Sequence, residues 1–303
     1  MKKILVVGSL NMDSVIRVHN IPVPGETVLA QGIRQVPGGK GANQAYAAAK
    51  LGGQVAMIGA VGDDAFGRQL KDNLAAVGVD ISGIETLTGC PTGNAVIPVD
   101  DRGENAIVVV PGANAQLTTE MIDRHIRLVD ECDMILLQLE IPLEVVAYVK
   151  QLGKARGKQM ILDPAPAKAG LPDDFFAGFD IVKPNETELQ TLLGKALPTP
   201  QALQEGARAL LQKGVRAVIV TLGEMGAWMV TNAGVQTFPA CKVTAVDTTA
   251  AGDSFTAAFA VARSRGESDA DAIAFGNRVS GIVVTRPGAQ TSVPTMEEVA
   301  GLR

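Results

Sequence analysis

The stretch MILLQLEIPLEVVAYVKQLGKARGKQMILD, residues 134–163, decides the fold class. Met134 to Leu139 and Gln159 to Asp163 are short, almost wholly apolar runs, the pattern of strands buried on both faces. Residues 143–156 between them read as a helix. A strand, a helix and a second apolar strand form the connection that parallel strands require. The same alternation continues downstream. Strands are expected at Ile181-Val182, Ala217 to Thr221 and Ala227 to Thr231, with helices near 186–193, 200–213, 253–264 and 269–284. Upstream, residues 3–8 are a β-branched run ending at Gly8, and Val55 to Gly59 a further strand. Asn43 to Leu51 is an Ala-rich helix closed by Gly52-Gly53, and Phe66 to Val77 is amphipathic. Apolar strands separated by helices predict an α/β fold with a mostly parallel sheet covered on both faces.

Two segments interrupt this alternation. Residues 12–36 carry Pro22, Pro24, Gly25 and Gly32 between short alternating pieces. In residues 89–110, Val96-Ile97-Pro98-Val99 and Ala106 to Val110 flank Asp100-Asp101-Arg102-Gly103, a hairpin signal. The two insertions are expected to form one small β lid on a single domain spanning 1–303.

Composition narrows the function. Of 303 residues, 47% are hydrophobic and 19% charged, enough apolar matter for a sizeable core and too little charge for disorder. The net charge of −5 is spread without a basic run, which argues against a nucleic-acid partner. A small anionic substrate remains compatible, because a local site needs only a few residues and oriented amides. Cys90, Cys132 and Cys241 form no C-x-x-C pair, and His19 and His125 lack partners at ligand spacing. No stretch approaches the ~20 apolar residues of a spanning helix. The opening apolar run meets Asn11 and Asp13 too early for a signal peptide. The expectation is a cytoplasmic protein with no membrane partner.

The strongest chemical signal is Asp247-Thr248-Thr249-Ala250-Ala251-Gly252-Asp253-Ser254-Phe255, ahead of an apolar helix. Small residues at 250–252 let backbone N–H groups converge at the positive end of that helix, an anion hole for phosphate. Asp253 at the same spot can accept a proton from an attacking hydroxyl. The competing reading makes Asp253 an ordinary helix cap. Gly38-Gly39-Lys40-Gly41-Ala42-Asn43-Gln44 is not a phosphate loop, since Gly41 rather than Ser or Thr follows the lysine. It can bring backbone close to a polyol, or be a glycine turn that opens a helix. Asn11 and Asp13 leave the carboxyl end of the first strand, where α/β sheets bind ligands. No G-x-G-x-x-G follows that strand, which disfavours a nicotinamide dehydrogenase. Asn185 and Glu188 stand one helical turn apart, suited either to water around Mg²⁺ or to a capping box. Thr221-Leu222-Gly223-Glu224-Met225-Gly226 suits a phosphate or ribose contact, or a plain hairpin.

These pieces, in this order, resemble the ribokinase-like carbohydrate kinases, over about Ile4 to Pro294. Ala250, where glycine is commoner in the wider family, looks like the ribokinase subgroup. The resemblance implies a doubly wound α/β domain with a β-sheet lid that often forms a homodimer contact. It implies ATP, Mg²⁺ and K⁺ as cofactors. Carried over by position, Asn11, Asp13, Gly39, Lys40, Gly41, Asn43 and Glu140 would line the sugar site. Asn185, Thr221, Gly223, Gly226, Gly252 and Asn277 would hold ATP. Asp253 would be the catalytic base and touch the sugar, and Glu188 would organise Mg²⁺ through water. Asp247, Thr249, Val283, Arg286, Gly288 and Ser292 match a monovalent-cation loop. Tyr46 stands where a small aliphatic residue is commoner. The expected activity is transfer of the γ-phosphoryl group of ATP to the 5-hydroxyl of D-ribose. Alternatives are another small sugar or nucleoside, such as deoxyribose or fructose, and a non-catalytic sensor on the same fold.

Overall fold

The computed structural model describes residues 1–301. Its strands, in chain order, begin with Lys3–Val7 (β1), Asn11–Arg17 (β2), Gly32–Gly38 (β3) and Gln54–Gly62 (β4). Asp80–Leu87 (β5), Gly93–Val99 (β6), Val108–Val110 (β7) and Met134–Leu137 (β8) follow. The last five are Gln159–Leu162 (β9), Ile181–Val182 (β10), Ala217–Thr221 (β11), Ala227–Thr231 (β12) and Gly234–Phe238 (β13). The helices are Lys40–Lys50 (α1), Ala65–Ala76 (α2), Thr119–Arg124 (α3), Ile126–Glu131 (α4) and Leu143–Ala155 (α5). They continue with Glu186–Leu193 (α6), Pro200–Gln212 (α7), Ala251–Ser264 (α8), Asp269–Val283 (α9) and Met296–Gly301 (α10).

Nine described strands form the main sheet in the order β13-β12-β11-β10-β9-β8-β1-β4-β5. Pairing is parallel from β5 to β11 and antiparallel for β11–β12 and β12–β13. Successive residues of β1 point to opposite faces, so Ile4 and Val6 enter one core while Leu5 and Val7 enter the other. The first core is closed by α1, α2, α8, α9 and α10, the second by α3 to α7. The central strands are therefore buried on both faces, as their near-continuous apolar runs required. Among the described residues no helix is long and apolar enough to cross a membrane.

A second sheet, ordered β3-β2-β6-β7, takes its strands from the two interrupting segments. β2 pairs antiparallel with β3 and β6 antiparallel with β7, so each segment forms its own antiparallel pair, and the two pairs join through the parallel β2–β6 contact. Four details differ from the expectation. α1 begins at Lys40, not Asn43, because Gly39 caps it at φ 86° and Lys40 to Ala42 are its first turn. The last strand of the second sheet is Val108–Val110 only. β5 and the exposed edge strand β13 were not foreseen, since neither has a continuous apolar run. The short helices α3, α4 and α10 were also not foreseen.

Candidate active site

The site forms where β1 ends and α1 begins. A side chain at Gly41 would bring its Cβ within 2.6 Å of the Gly8 carbonyl carbon and the Ser9 nitrogen. Glycine there lets the first turn of α1 press against the β1–β2 connection. The contact is fastened by polar groups. The Ser9 hydroxyl and the Lys40 N–H (3.0 Å) both donate to Glu140 Oε2, and the Gly41 N–H donates to Ser9 Oγ at 3.3 Å. One oxygen of Glu140 thus caps α1 from a different segment of chain.

Asn11 and Asp13 stand on β2 beside this turn. Asn11 Oδ1 accepts from Asn114 Nδ2 at 2.8 Å, and Asn114 also clamps the backbone N–H and carbonyl of Leu10. Asn114 carried no sequence signal, since it lies in an ordinary turn distant in the chain. The Asp13 carboxylate occupies the space a side chain at Gly38 would need, its Oδ2 lying 2.2 Å from that Cβ position. Burial, with the charges of Glu140 and Asp253 behind it, pushes Asp13 up to about 7 against the pull of Lys40. Burial works against the Lys40 ammonium, yet Asp253, Asp163, Glu140 and Glu188 together hold it above the ordinary lysine value.

Asp253 lies in the first turn of α8. The helix is entered through Ala250 at φ 58°, ψ 12°, a left-handed conformation that is uncommon outside glycine. No described residue accepts a hydrogen bond from the N–H of Gly252 or Asp253. Two amide donors therefore face outward at the positive end of a 14-residue helix. Asp253 does not cap its own helix. Its Oδ2 accepts from Asn43 Nδ2 at 3.0 Å and its Oδ1 from Gln44 Nε2 at 3.2 Å, so α1 holds it across the interface with α8. Asn43 Oδ1 accepts from Gln290 Nε2 at 3.0 Å, which commits both ends of that amide.

Next to this carboxylate a cleft of about 920 Å³ opens. Asn185, Thr221, Gly223, Gly226, Gly252 and Asn277, the six residues matched to an ATP site, all line it. Asn277 Nδ2 donates to the Phe238 and Pro239 carbonyls at 3.1 and 3.0 Å and pins the wall. Asn185 and Glu188 form a capping box, each side chain accepting from the other's N–H at 2.8 Å. That leaves one Glu188 oxygen uncommitted. No described group of three or more His, Cys, Asp or Glu could hold a metal. A Mg²⁺ site here fits only an ion carried largely by phosphate oxygens and water, which is how Mg²⁺ prefers to bind.

The 247–249 turn and the 283–292 segment meet. Asp247 Oδ1 accepts from the Thr249 N–H at 2.9 Å, and Oδ2 from the Gly288 N–H at 2.8 Å. The Val246 N–H donates to the Val284 carbonyl at 2.7 Å, and Arg286 N–H to the Val283 carbonyl at 3.1 Å. Burial opposes the Asp247 charge, but the Thr249 and Gly288 donors hold the carboxyl below its usual range. Ser292 is fully buried, its hydroxyl donating to the Ala289 carbonyl, while the Arg286 guanidinium turns outward to Glu298 at 2.9 Å. The segments bring together carbonyl, carboxylate and hydroxyl oxygens without nitrogen or sulfur ligands, a set that fits a hard cation.

The pattern of the pfkB family carbohydrate kinases matches residues 1–296. A ribokinase of Haemophilus influenzae is 39% identical over 297 residues, covering 98% of this chain and 97% of its own. A deoxyribokinase of Salmonella typhi is 38% identical over 296 residues, covering 97% and 96%. Among solved structures, an Arabidopsis thaliana ribokinase complexed with ribose and ATP superposes with a TM-score of 0.93 at 33% identity, covering 99% and 97%.

Proposed function

The chain belongs to the pfkB family of carbohydrate kinases, and from that premise we propose that it transfers the γ-phosphoryl group of ATP to the 5-hydroxyl of D-ribose. The observation that carries this reading is the Asp253 carboxylate. It is fixed at the amino end of α8, one residue from a cleft-lining glycine and close enough to Asp13 and Lys40 to perturb both. The sugar binds through Asn11, Asp13 and the Gly39 to Asn43 segment, with Glu140 holding that segment against Ser9. ATP occupies the cleft with its phosphates toward Gly252.

Asp253 takes the proton of the 5-hydroxyl as that oxygen bonds to phosphorus. The phosphorus–oxygen bond to ADP breaks, and the electron pair leaves with ADP. The outward N–H groups of Gly252 and Asp253 and the Lys40 ammonium receive the charge on the transferred group. Mg²⁺, carried by phosphate and water with Glu188, would neutralise further phosphate charge. K⁺ at the 247–249 and 283–292 segments would order the turn that presents the N–H groups. The second sheet serves as a lid over the sugar that excludes water. Ile33, Val108, Val109 and Val110 on that sheet are 47–61% exposed, and we assign this apolar surface to a second copy of the chain. A cytoplasmic location fits the three cysteines, none of which is in a disulfide.

Deoxyribose is the second reading, favoured by the 38% identity to a deoxyribokinase, close to the 39% to a ribokinase. Coupled ADP release across ribose, deoxyribose, fructose and nucleosides, with phosphorus NMR of the product, tests both. D-Ribose should have the highest kcat/KM and carry phosphate on C5. ADP release no faster with any sugar than with water would overturn the kinase reading, and a preference for deoxyribose would favour the second.

A further inference from the structure

Behind Asp253 lies a buried polar chain that the reaction as described does not use. Gln44, one residue after Asn43 on α1, is fully buried. Its amide nitrogen donates to Asp253 Oδ1 at 3.2 Å and to Asp163 Oδ2 at 2.9 Å, so both N–H bonds end on carboxylates. Its Oε1 accepts from Gln138 Nε2 at 2.7 Å. These three contacts fix the orientation of the amide. A flipped Gln44 would set its oxygen against two carboxylates and its NH₂ against another NH₂. Gln138 is itself fully buried, and Gly8 supplies its space, since a Cβ there would lie 2.0 Å from Gln138 Oε1. Asp163 is anchored by the buried Lys183 ammonium at 3.0 Å and by the Thr256 hydroxyl at 3.3 Å. Lys183 reaches the Gly252 carbonyl at 3.3 Å, which ties the anchor to the anion-binding turn.

We propose that Gln44 is a positioning residue for the catalytic base, holding the Asp253 carboxylate plane on α8 through an amide whose direction is set by Gln138 and Asp163. This inference rests on the reading of Asp253 as the base. Physical chemistry favours a neutral donor in this role. Asn43 and Gln44 each give one N–H to one carboxylate oxygen, which fixes the plane and leaves a lone pair on each oxygen for the substrate proton. A lysine or arginine in the same place would bind the carboxylate more strongly and weaken it as a base. Both donors come from consecutive residues of one helix, so a shift of α1 would turn the carboxylate as a unit.

A double-mutant cycle decides it, with Gln44→Met, Asp253→Asn and the pair. Gln44→Met keeps volume and removes the donors. It should lower kcat roughly 10- to 100-fold, the scale of a misplaced catalytic group, with sugar and ATP KM values within about threefold of wild type. In the Asp253→Asn background the same change should have almost no further effect, because it acts only through the carboxylate. Gln138→Met, which touches neither carboxylate, is the second probe should Gln44→Met fail to fold. It should lower kcat by about three- to tenfold and be silent in Asp253→Asn. If Asp253→Asn collapses turnover but Gln44→Met multiplies that loss by its full factor, or the Gln44 variant matches wild type, the positioning role is wrong while the base stands. If Asp253→Asn retains more than about a tenth of turnover, the base reading fails and this inference with it.

Discussion

Sugar affinity should depend on pH through Asp13. Its carboxyl, wedged in the space left by Gly38, is pushed up to about 7 by burial and by the charges of Glu140 and Asp253, with Lys40 as the opposing cation. A carboxylate accepts hydrogen bonds from two sugar hydroxyls, whereas the protonated acid offers one fewer acceptor and a competing donor. With a midpoint near 7, the ionised fraction is about 0.9 at pH 8 and about 0.1 at pH 6, so the sugar KM should rise about tenfold over that interval. Binding below the midpoint must release a proton, so calorimetry at pH 6 in two buffers of different ionisation enthalpy should give different apparent heats. The ATP KM should not share this slope. Asp13→Asn should bind sugar weakly at every pH and lose the dependence. A sugar KM that is flat between pH 6 and 8, or an equal slope in Asp13→Asn, would refute the argument.

The same carboxyl has a stability consequence of opposite sense. Because its folded value lies above the unfolded one, the folded state keeps a proton that the unfolded chain gives up, and stability falls as pH rises from about 4 to about 7. Asp13→Asn should therefore melt above wild type at pH 8, with the gap closing towards pH 4 in thermal scans. Gly41→Ala puts a methyl group 2.6 Å from backbone atoms of Gly8 and Ser9, so urea melts should show a loss of about 1–3 kcal/mol or more. At constant ionic strength, replacing KCl by tetramethylammonium chloride should lower turnover or ATP affinity. Asp247→Ala, which severs the 2.8 Å link to Gly288, should remove that difference; identical wild-type kinetics in both salts would exclude the cation site.

The parts of this molecule that were legible in the sequence are contiguous. The alternation of apolar strands and helices gave the main sheet, since a strand buried on both faces must be apolar throughout. Asp253 stood out because small residues and a helix start surround it within a few positions, and the structure excludes the alternative that it caps α8. Gly38 to Gln44 was harder. Its glycines read as a turn before a helix beginning at Asn43. In fact Gly41 lies inside α1, where the missing side chain serves close packing rather than backbone freedom. The Asn185 to Glu188 pair is a capping box, which still leaves an oxygen free. Gln138, Asp163 and Lys183 were invisible. Each is a single polar residue at the end of an apolar run, and only the packing of four strands and two helices gives them partners. Asn114 and Gln290 lie in short turns instead, and they too gain their partners only from distant segments.

The most direct test of the central claim is the rate of phosphoryl transfer to D-ribose by Asp253→Asn, measured beside its calorimetric affinity for the sugar. Removal of a positioned base predicts turnover reduced by roughly 10²–10⁴ with sugar affinity nearly unchanged. Turnover above about a tenth of wild type, in a variant that still binds ribose, would contradict it.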